Sequence, residues 1–311
     1  MLSLSMALGN YGLTKALKSG AVRSDKLAFE LVEVEPITRG MRRMARDLEF
    51  DICEMAWTTY LCAKAYGKPL TAIPVYVTRN FHHWAIWHNL RAGLKSPKDL
   101  EGKRVGVNRG YTVTTGLWIR GVLQDEYGVD LTKITWVPTD DEHVAEYQAP
   151  ANVDYSLRGK DCAALLASGE LAAAVGDIKS DSPDVKQLIP DARQAGFAFY
   201  RKTGIYPMNH GVVVKDAALA AHPWLAEALF RLFKASRDAY LARLAAGGEL
   251  TAADKTALAL QKGVGGDPFP FGVAANRKAL DAVSRFAAEQ HVTQKVYTPE
   301  DLFARSTLAL A

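Results

Sequence analysis

The chain has 311 residues, of which 49% are hydrophobic and 23% charged, a composition typical of a globular protein large enough for two lobes. The net charge is only +4, which is too small to favour nucleic acid as a partner. No apolar run approaches the roughly 20 residues that a membrane-spanning helix needs, so a membrane partner is not expected either.

The N-terminal segment MLSLSMALGNYGLTKALKSG has no basic stretch and no cleavage site after an apolar run, so it does not resemble a signal peptide. Leu2, Leu4 and Met6 alternate with serines, which is the spacing of a strand. The three cysteines are far apart and form no CxxC pair, which favours reduced thiols. We therefore expect a cytoplasmic protein.

Strand and helix patterns alternate over the first hundred residues. The predicted strands are LSLSMAL, LAFELVEVEP, FDICEM and LTAIPVYVT, and the predicted helices between them are TKALKSG, ITRGMRRMARD and TTYLCAKAYGK. This order predicts a parallel sheet with helices on its faces.

A second α/β unit follows. Its predicted elements are the strand KRVGV, a helix from about Thr114 to Tyr127, the strand KITWVPT, and a helix, turn and strand in GKDCAALLASGELAAAVGD. The third part has the strand HGVVVKD, the long helix HPWLAEALFRLFKASRDAYLARL, a Gly/Pro-rich loop, the helix AANRKALDAVSRFAAEQ and a last helix at TPED. We expect an α/β protein of two lobes, with 1–88 and 207–311 in lobe 1 and 89–206 in lobe 2.

Polar residues follow the predicted strands, at the edge where open α/β sheets bind ligands. Glu54, near the end of FDICEM, is a candidate base or acceptor of a substrate hydroxyl, although a helix N-terminal charge explains it as well. Arg79, at the end of PVYVT, suits bidentate binding of a carboxylate, with pairing to a neighbouring acid as the alternative.

The segment NFHHWAIWHN concentrates three of the seven histidines. Their spacing matches no familiar zinc pattern, so we expect no metal site. His82 and His83 point to opposite faces if the segment is extended. An acid/base histidine and a packed histidine both remain open for His83, and Trp84 is a candidate for a pocket wall or for the core.

The segment NRGYTVTTG precedes a helix and contains no nucleotide-binding motif. Its side chains and backbone N–H groups could hold an anion at the helix N-terminus, and a plain N-cap is compatible with that role. The candidates for substrate binding here are Tyr111, Thr112, Thr114 and Thr115.

Two further segments carry candidates. His210 follows a proline-containing turn, where it is either a second acid/base group or part of a hinge. Asp267 lies in the Gly/Pro-rich loop, where turn chemistry explains it about as well as substrate binding. Asn276 and Arg277 open the following helix and are candidates for substrate binding.

Taken together, the longer segments resemble the 4,5-dihydroxyphthalate decarboxylase family. The resemblance is carried by FDICEM, AIPVYVTRNFHHWAI, SPKDLEGKRVGV, TTGLWIRGVLQDEYGV, FYRKTGIYPMNHGVVVKD, HPWLAEALF, FGVAANRKALDAVSRFAAEQ and LFARSTL, in this order and over nearly the whole chain. It implies the two-lobed fold of type II periplasmic binding proteins, with the ligand in a cleft between the lobes. It also implies an enzyme that needs no organic cofactor and decarboxylates a dihydroxylated aromatic diacid to protocatechuate.

The resemblance carries over to particular residues of this chain. His83 matches the histidine of the family pattern, whereas His82 stands in place of an arginine and Trp84 in place of a serine. The other matching positions are Arg79, Thr114, His210, Asn276 and Arg277.

For a decarboxylase, we expect His83 and His210 to transfer protons, because imidazole titrates near neutrality. Glu54 would orient one histidine or accept a proton, and Arg79 with the start of the Thr114 helix would hold carboxylate. Replacing His83 by alanine should then abolish turnover and leave the fold intact. The alternative is a non-catalytic solute-binding protein of the same fold. The oligomeric state is left open, a homo-oligomer included.

Overall fold

The structure is a computed structural model that describes residues 1–311. Contacts divide the chain into two compact units. Unit 1 comprises Met1–Arg79, Met208–Asp281 and Tyr297–Ala311, and unit 2 comprises Asn80–Pro207 and Ala282–Val296. The division by sequence puts residues 80–88, 207 and 282–296 in lobe 1, whereas here they lie in unit 2. Residues 86–89 form a strand of the unit 2 sheet, which a purely sequential division cannot reveal.

Ten strands and eleven α-helices make up the chain. The strands are β1 (Leu2–Ala7), β2 (Leu27–Leu31), β3 (Ile52–Ala56), β4 (Leu70–Arg79), β5 (Ile86–Asn89), β6 (Arg104–Val107), β7 (Thr135–Pro138), β8 (Ala173–Val175), β9 (Val185–Gln187) and β10 (Met208–Lys215). The helices are α1 (Lys15–Lys18), α2 (Ile37–Asp47), α3 (Trp57–Ala65), α4 (Thr114–Tyr127), α5 (Cys162–Ser168), α6 (Ala192–Thr203), α7 (Asp216–Ala221), α8 (Leu225–Ala246), α9 (Ala252–Val264), α10 (Arg277–Glu289) and α11 (Pro299–Leu302). No helix combines the length and the apolar character that crossing a bilayer requires.

The sheet of unit 1 has the strand order β2-β1-β3-β10-β4. The four strands predicted in the first hundred residues run in the same direction, and β10, from later in the chain, lies antiparallel between β3 and β4. The chain leaves unit 1 at the end of β4 and returns at the start of β10, and Arg79 there pairs with Met208. Because the chain leaves and re-enters unit 1 at the same edge of the sheet, β10 begins beside the end of β4 and runs antiparallel to it.

One face of this sheet packs against the long helix α8. Ile52 and Val212 are fully buried in this core, together with Leu229 and Phe233 of α8. Successive side chains of a strand alternate between faces, so Glu54 lies on the same face as Ile52. The register agrees, since Glu54 is opposite Val212. On this face of β3, the buried apolar side chain of Ile52 is therefore followed by the carboxylate of Glu54.

The sheet of unit 2 has the strand order β7-β6-β8-β5-β9. β6 is parallel to β7 and β8, whereas β5 is antiparallel to β8 and β9. The predicted helix from Thr114 to Tyr127 is confirmed as α4 with the same bounds. Its buried Trp118 meets Phe286 of α10 edge-on, with ring centroids 5.8 Å apart.

Candidate functional site

The carboxyl edge of the unit 1 sheet collects several polar side chains. β1, β3 and β4 run in the same direction and end at this edge, and β10 begins there. In the antiparallel ladders, His210 lies opposite both Ala56 of β3 and Thr78 of β4. The ladder between β10 and β4 is irregular at this point, as is common beside functional sites.

Glu54 is the centre of this arrangement. Its side chain is fully buried, and its carboxylate accepts three hydrogen bonds. Oε2 accepts from the backbone N–H of Gly9 at 2.8 Å, and Oε1 accepts from the Tyr11 hydroxyl at 2.7 Å and from His210 Nδ1 at 2.6 Å. A buried carboxylate is tolerated when it is fully hydrogen-bonded, so these three donors explain its place in the core.

His210 is the exposed member of the pair, with 20% of its side chain accessible. Its Nδ1 faces the Glu54 carboxylate, which can only accept, so Nδ1 carries a proton. Nε2 makes no hydrogen bond within the protein. In the neutral imidazole, Nε2 therefore presents a lone pair.

Arg79 and Asn276 also come together in unit 1. Arg79 Nη2 donates to the Pro270 carbonyl at 3.1 Å and to the amide oxygen of Asn276. The amide nitrogen of Asn276 donates to the carbonyls of Pro270 and Gly272, at 2.9 and 2.7 Å. The guanidinium also lies 5.0 Å from the centre of the Tyr76 ring. These contacts fix the guanidinium plane at the end of β4.

Asp267 and Arg277 make local contacts. The Asp267 carboxylate accepts from the backbone N–H of Phe269 at 2.7 Å and lies 3.3 Å from Arg237 Nη1. This is the turn chemistry that the sequence left open as an alternative. Arg277 pairs with Asp281 one turn further along α10, at 2.9 Å, and the side chains of this pair are exposed.

His83 lies in unit 2 and is buried, with 1% exposure. Its Nε2 is 2.9 Å from Oε2 of Glu126 on α4, and its ring lies 5.5 Å from that of Phe199. Burial lowers the pKa of the His83 imidazole, and the Glu126 carboxylate opposes part of this shift. His83 Nδ1 is buried without a hydrogen-bond partner, and the catalytic role of His83 stays a prediction.

The neighbours of His83 also have their own surroundings within unit 2. His82 is buried and stacks parallel to Trp118, with centroids 6.3 Å apart. Trp84 is half-buried, and its carbonyl accepts a hydrogen bond from Gln187. No cluster of three or more His, Cys, Asp or Glu side chains is arranged to hold a metal ion.

The turn before α4 binds a carboxylate that belongs to the protein. Glu142 accepts from the backbone N–H of Tyr111 at 2.5 Å and from the N–H and hydroxyl of Thr112 at 3.0 and 2.6 Å. The Tyr155 hydroxyl also donates to it, at 2.8 Å. A Cβ atom at Gly110 would lie 2.6 Å from Glu142 Oε2, so this approach requires glycine. The anion at this turn is therefore an internal glutamate.

Thr114 and Thr115 form the first turn of α4, after Val113 as N-cap. Thr114 is buried and Thr115 half-buried. The roles of His82, Trp84, Thr114 and Thr115 toward a substrate stay predictions.

Sequence reasoning missed Tyr11 and Glu142. Ligands bind at the carboxyl ends of strands, and Tyr11 follows the carboxyl end of β1, between Gly9 and Gly12. A tyrosine between two glycines at a strand end was the available signal. Glu142 lies about thirty residues beyond the turn that it binds, and no local pattern connects the two.

Known proteins resemble this chain over most of its length. A family model described as NMT1/THI5 like matches residues 49–242. A 4,5-dihydroxyphthalate decarboxylase of Comamonas testosteroni is 31% identical over 334 residues, with 99% of this chain and 98% of that protein covered. A protein of the same name from Pseudomonas putida is 32% identical over 215 residues, with 64% of this chain and 82% of that protein covered.

Among solved structures, the periplasmic aliphatic sulphonate binding protein SsuA from Escherichia coli is similar, with a TM-score of 0.53 and 13% identity. The match covers 98% of this chain and 97% of that one. The likeness shows the fold, which is the α/β periplasmic-binding-protein fold that the sequence resemblance implied.

Proposed function

The chain belongs to the 4,5-dihydroxyphthalate decarboxylase family and to the NMT1/THI5 like family, and from this premise we propose that it decarboxylates 4,5-dihydroxyphthalate to protocatechuate and CO2. The observation that carries the proposal is the buried Glu54 behind His210, whose Nε2 makes no hydrogen bond within the protein. A binding protein needs no such pair, whereas a reaction that moves protons does.

The chemistry explains the need for a base. Direct loss of CO2 from an aromatic ring would leave an aryl carbanion, which is too high in energy. The easier route first protonates the ring carbon that bears the carboxylate, with electrons supplied by the ionised hydroxyl para to it. The bond to the carboxylate then breaks, its electron pair restores the aromatic ring, and CO2 leaves. The net reaction consumes one proton, which is drawn from solvent and ends on the ring carbon.

His210 is the proposed base for that hydroxyl. Its Nε2 accepts the hydroxyl proton, and the Glu54 carboxylate stabilises the imidazolium through Nδ1. When CO2 has left, the imidazolium returns the proton to the oxygen. A positioned base of this kind contributes about 10²- to 10⁴-fold to the rate.

Arg79 is the proposed partner of a substrate carboxylate. It is a buried cation at the same sheet edge as His210, and the contacts with Asn276 and Pro270 hold its plane. Because Nη2 already donates to Pro270 and Asn276, a substrate carboxylate would bind the other guanidinium nitrogens, and the fixed plane would orient the ring as well as attract it. Asn276 acts on substrate binding indirectly, because its amide oxygen accepts a hydrogen bond from Arg79 and orients the guanidinium.

The test is incubation of the purified protein with 4,5-dihydroxyphthalate, with CO2 and protocatechuate both measured. In D2O the product should carry one deuterium, at the carbon that lost its carboxylate. Binding of the diacid by calorimetry without release of CO2 would contradict the proposal and favour a solute-binding protein. If the protein neither binds nor turns over the diacid, 4,5-dihydroxyphthalate is excluded as its substrate.

The compartment that we propose is the cytoplasm. All three thiols, those of Cys53, Cys62 and Cys162, are free and buried. Free thiols are typical of a reducing compartment. Fractionation of cells that express the native gene tests this, and recovery in the periplasmic fraction would contradict it.

A further inference from the structure

The Tyr11 hydroxyl contacts Glu54, and the reaction proposed above gives this contact no role. Its hydroxyl donates to Glu54 Oε1 at 2.7 Å, and the same oxygen accepts from His210 Nδ1 at 2.6 Å. Two donors therefore share a single carboxylate oxygen. Both hydrogen bonds use the same acceptor oxygen, so the bond from Tyr11 weakens the hydrogen bond between Glu54 and His210.

The loop around Tyr11 is built for this contact. The tyrosine ring lies directly on the backbone of Gly9, where an added Cβ would be 2.6 Å from the Tyr11 hydroxyl oxygen. On the other side, a Cβ at Gly12 would lie 2.1 Å from the ring of Tyr240. The backbone N–H of Tyr11 also donates to Thr14 Oγ1 at 3.1 Å. Two glycines thus let two aromatic rings approach the loop, and the position of the Tyr11 hydroxyl follows.

Tyr11 acts as a donor throughout the working pH range. Burial, and after it the charge of Glu54, raise the pKa of the Tyr11 phenol well above its usual value. The hydroxyl therefore keeps its proton whenever the Glu54 carboxylate is charged. A permanent donor at Oε1 is a fixed influence on the neighbouring imidazole rather than a second titrating group.

We propose that Tyr11 is a positioning residue of this enzyme, whose hydroxyl holds Glu54 Oε1 and limits how strongly the carboxylate stabilises the protonated His210. The inference rests on the proposed function of the Glu54–His210 pair. Without the hydroxyl, Glu54 holds the imidazolium more tightly and is itself less well oriented. The histidine then becomes a poorer donor when it has to return the proton.

The first variant is Tyr11→Phe, which keeps the ring and removes the hydroxyl. We expect kcat to fall by about 10- to 100-fold, the effect of one hydrogen bond to a charged group. The acidic limb of the pH profile of kcat/KM should move to higher pH, because the imidazolium is stabilised. KM should stay within about threefold of wild type, because Tyr11 does not touch the substrate.

A second variant, Gly9→Ala, displaces the ring without removing the hydroxyl. It should lower kcat at least as much as Tyr11→Phe, because the added methyl group meets the Tyr11 ring and Gly9 itself donates to Glu54 Oε2. The matched control is Tyr240→Phe, which removes a comparable bond from a tyrosine to Asp254 Oδ1, 2.8 Å long. Its pH profile should coincide with that of the wild type.

A Tyr11→Phe variant with wild-type kcat and an unmoved pH profile would overturn the inference. Failure of the proposed function is distinguishable, because the wild type itself would then release no CO2. In that case the downfield proton resonance of His210 Nδ1–H decides. Displacement further downfield in Tyr11→Phe supports the inference, and an unchanged resonance overturns it.

Discussion

Replacing Glu54 by glutamine changes one atom in the buried centre of the site and forces a conflict. The carboxylate accepts from Gly9 on Oε2 and from Tyr11 and His210 on Oε1. If the amide oxygen takes the Oε1 position, the NH2 group faces the N–H of Gly9. If it takes the Oε2 position, the NH2 group faces Nδ1 of His210, which must then accept. The imidazole proton moves to Nε2, and the base is lost.

The size of the effect follows from these two arrangements. Loss of one hydrogen bond to a charged group costs about 1.5–3 kcal/mol, or about 10- to 150-fold in rate. Loss of the correct imidazole tautomer costs up to about 10⁴-fold. We therefore expect Glu54→Gln to lower kcat between these limits, with KM for the diacid little changed.

The assay is the initial rate of CO2 release at saturating substrate, with circular dichroism as the check on folding. The chain offers a matched control in Glu126→Gln, since Glu126 Oε2 lies 2.9 Å from Nε2 of His83. This control should keep kcat within about threefold of wild type. The reasoning is refuted if Glu54→Gln retains wild-type kcat. Equal losses in both variants would return His83 to the mechanism.

Three further outcomes are expected. Burial lowers the pKa of His83, so below about pH 6.5 the unfolded chain binds more protons than the folded one. The free energy of unfolding should therefore decrease as the pH is lowered from about 7.5 to about 5. Urea titrations of His83→Gln should show a weaker dependence of the unfolding free energy on pH. An equal dependence in variant and wild type would show that His83 is not its source. Gly110→Ala places a methyl group 2.6 Å from Glu142 Oε2 and should cost about 1–3 kcal/mol of unfolding free energy, whereas a neutral result in urea would show that the turn adjusts. Arg79→Lys keeps the charge and loses the planar fork, so KM should rise about tenfold at constant kcat, and an unchanged KM would remove Arg79 from substrate binding.

The long elements of the fold were predictable from local patterns. The helix α4 is marked by buried i, i+4 pairs and by Gly128 just after its end, and the structure has it at the predicted bounds. β5 and β9, with four and three residues, are too short for a periodic signal. The helices α6 and α9 were not predicted. α6 carries Gly196 where the Phe81 side chain packs, so its apolar face is completed by a residue far away in sequence.

The site was predictable in part. The rule on strand ends identified Glu54 and Arg79 as candidates, and the proline-containing turn before its strand identified His210. Their contacts depend on the antiparallel return of β10, which brings His210 to the edge where β3 ends. Local sequence patterns contain no information on that direction. For the same reason the partners Tyr11 and Glu142 could not be assigned, because each acts on a segment at least thirty residues away.

The most direct test of the central claim is the rate of CO2 release by His210→Gln, measured beside calorimetric binding of 4,5-dihydroxyphthalate. We expect binding to stay within about threefold of wild type, while the rate falls by at least about 10². A variant that releases CO2 at the wild-type rate would contradict the assignment of the base to His210.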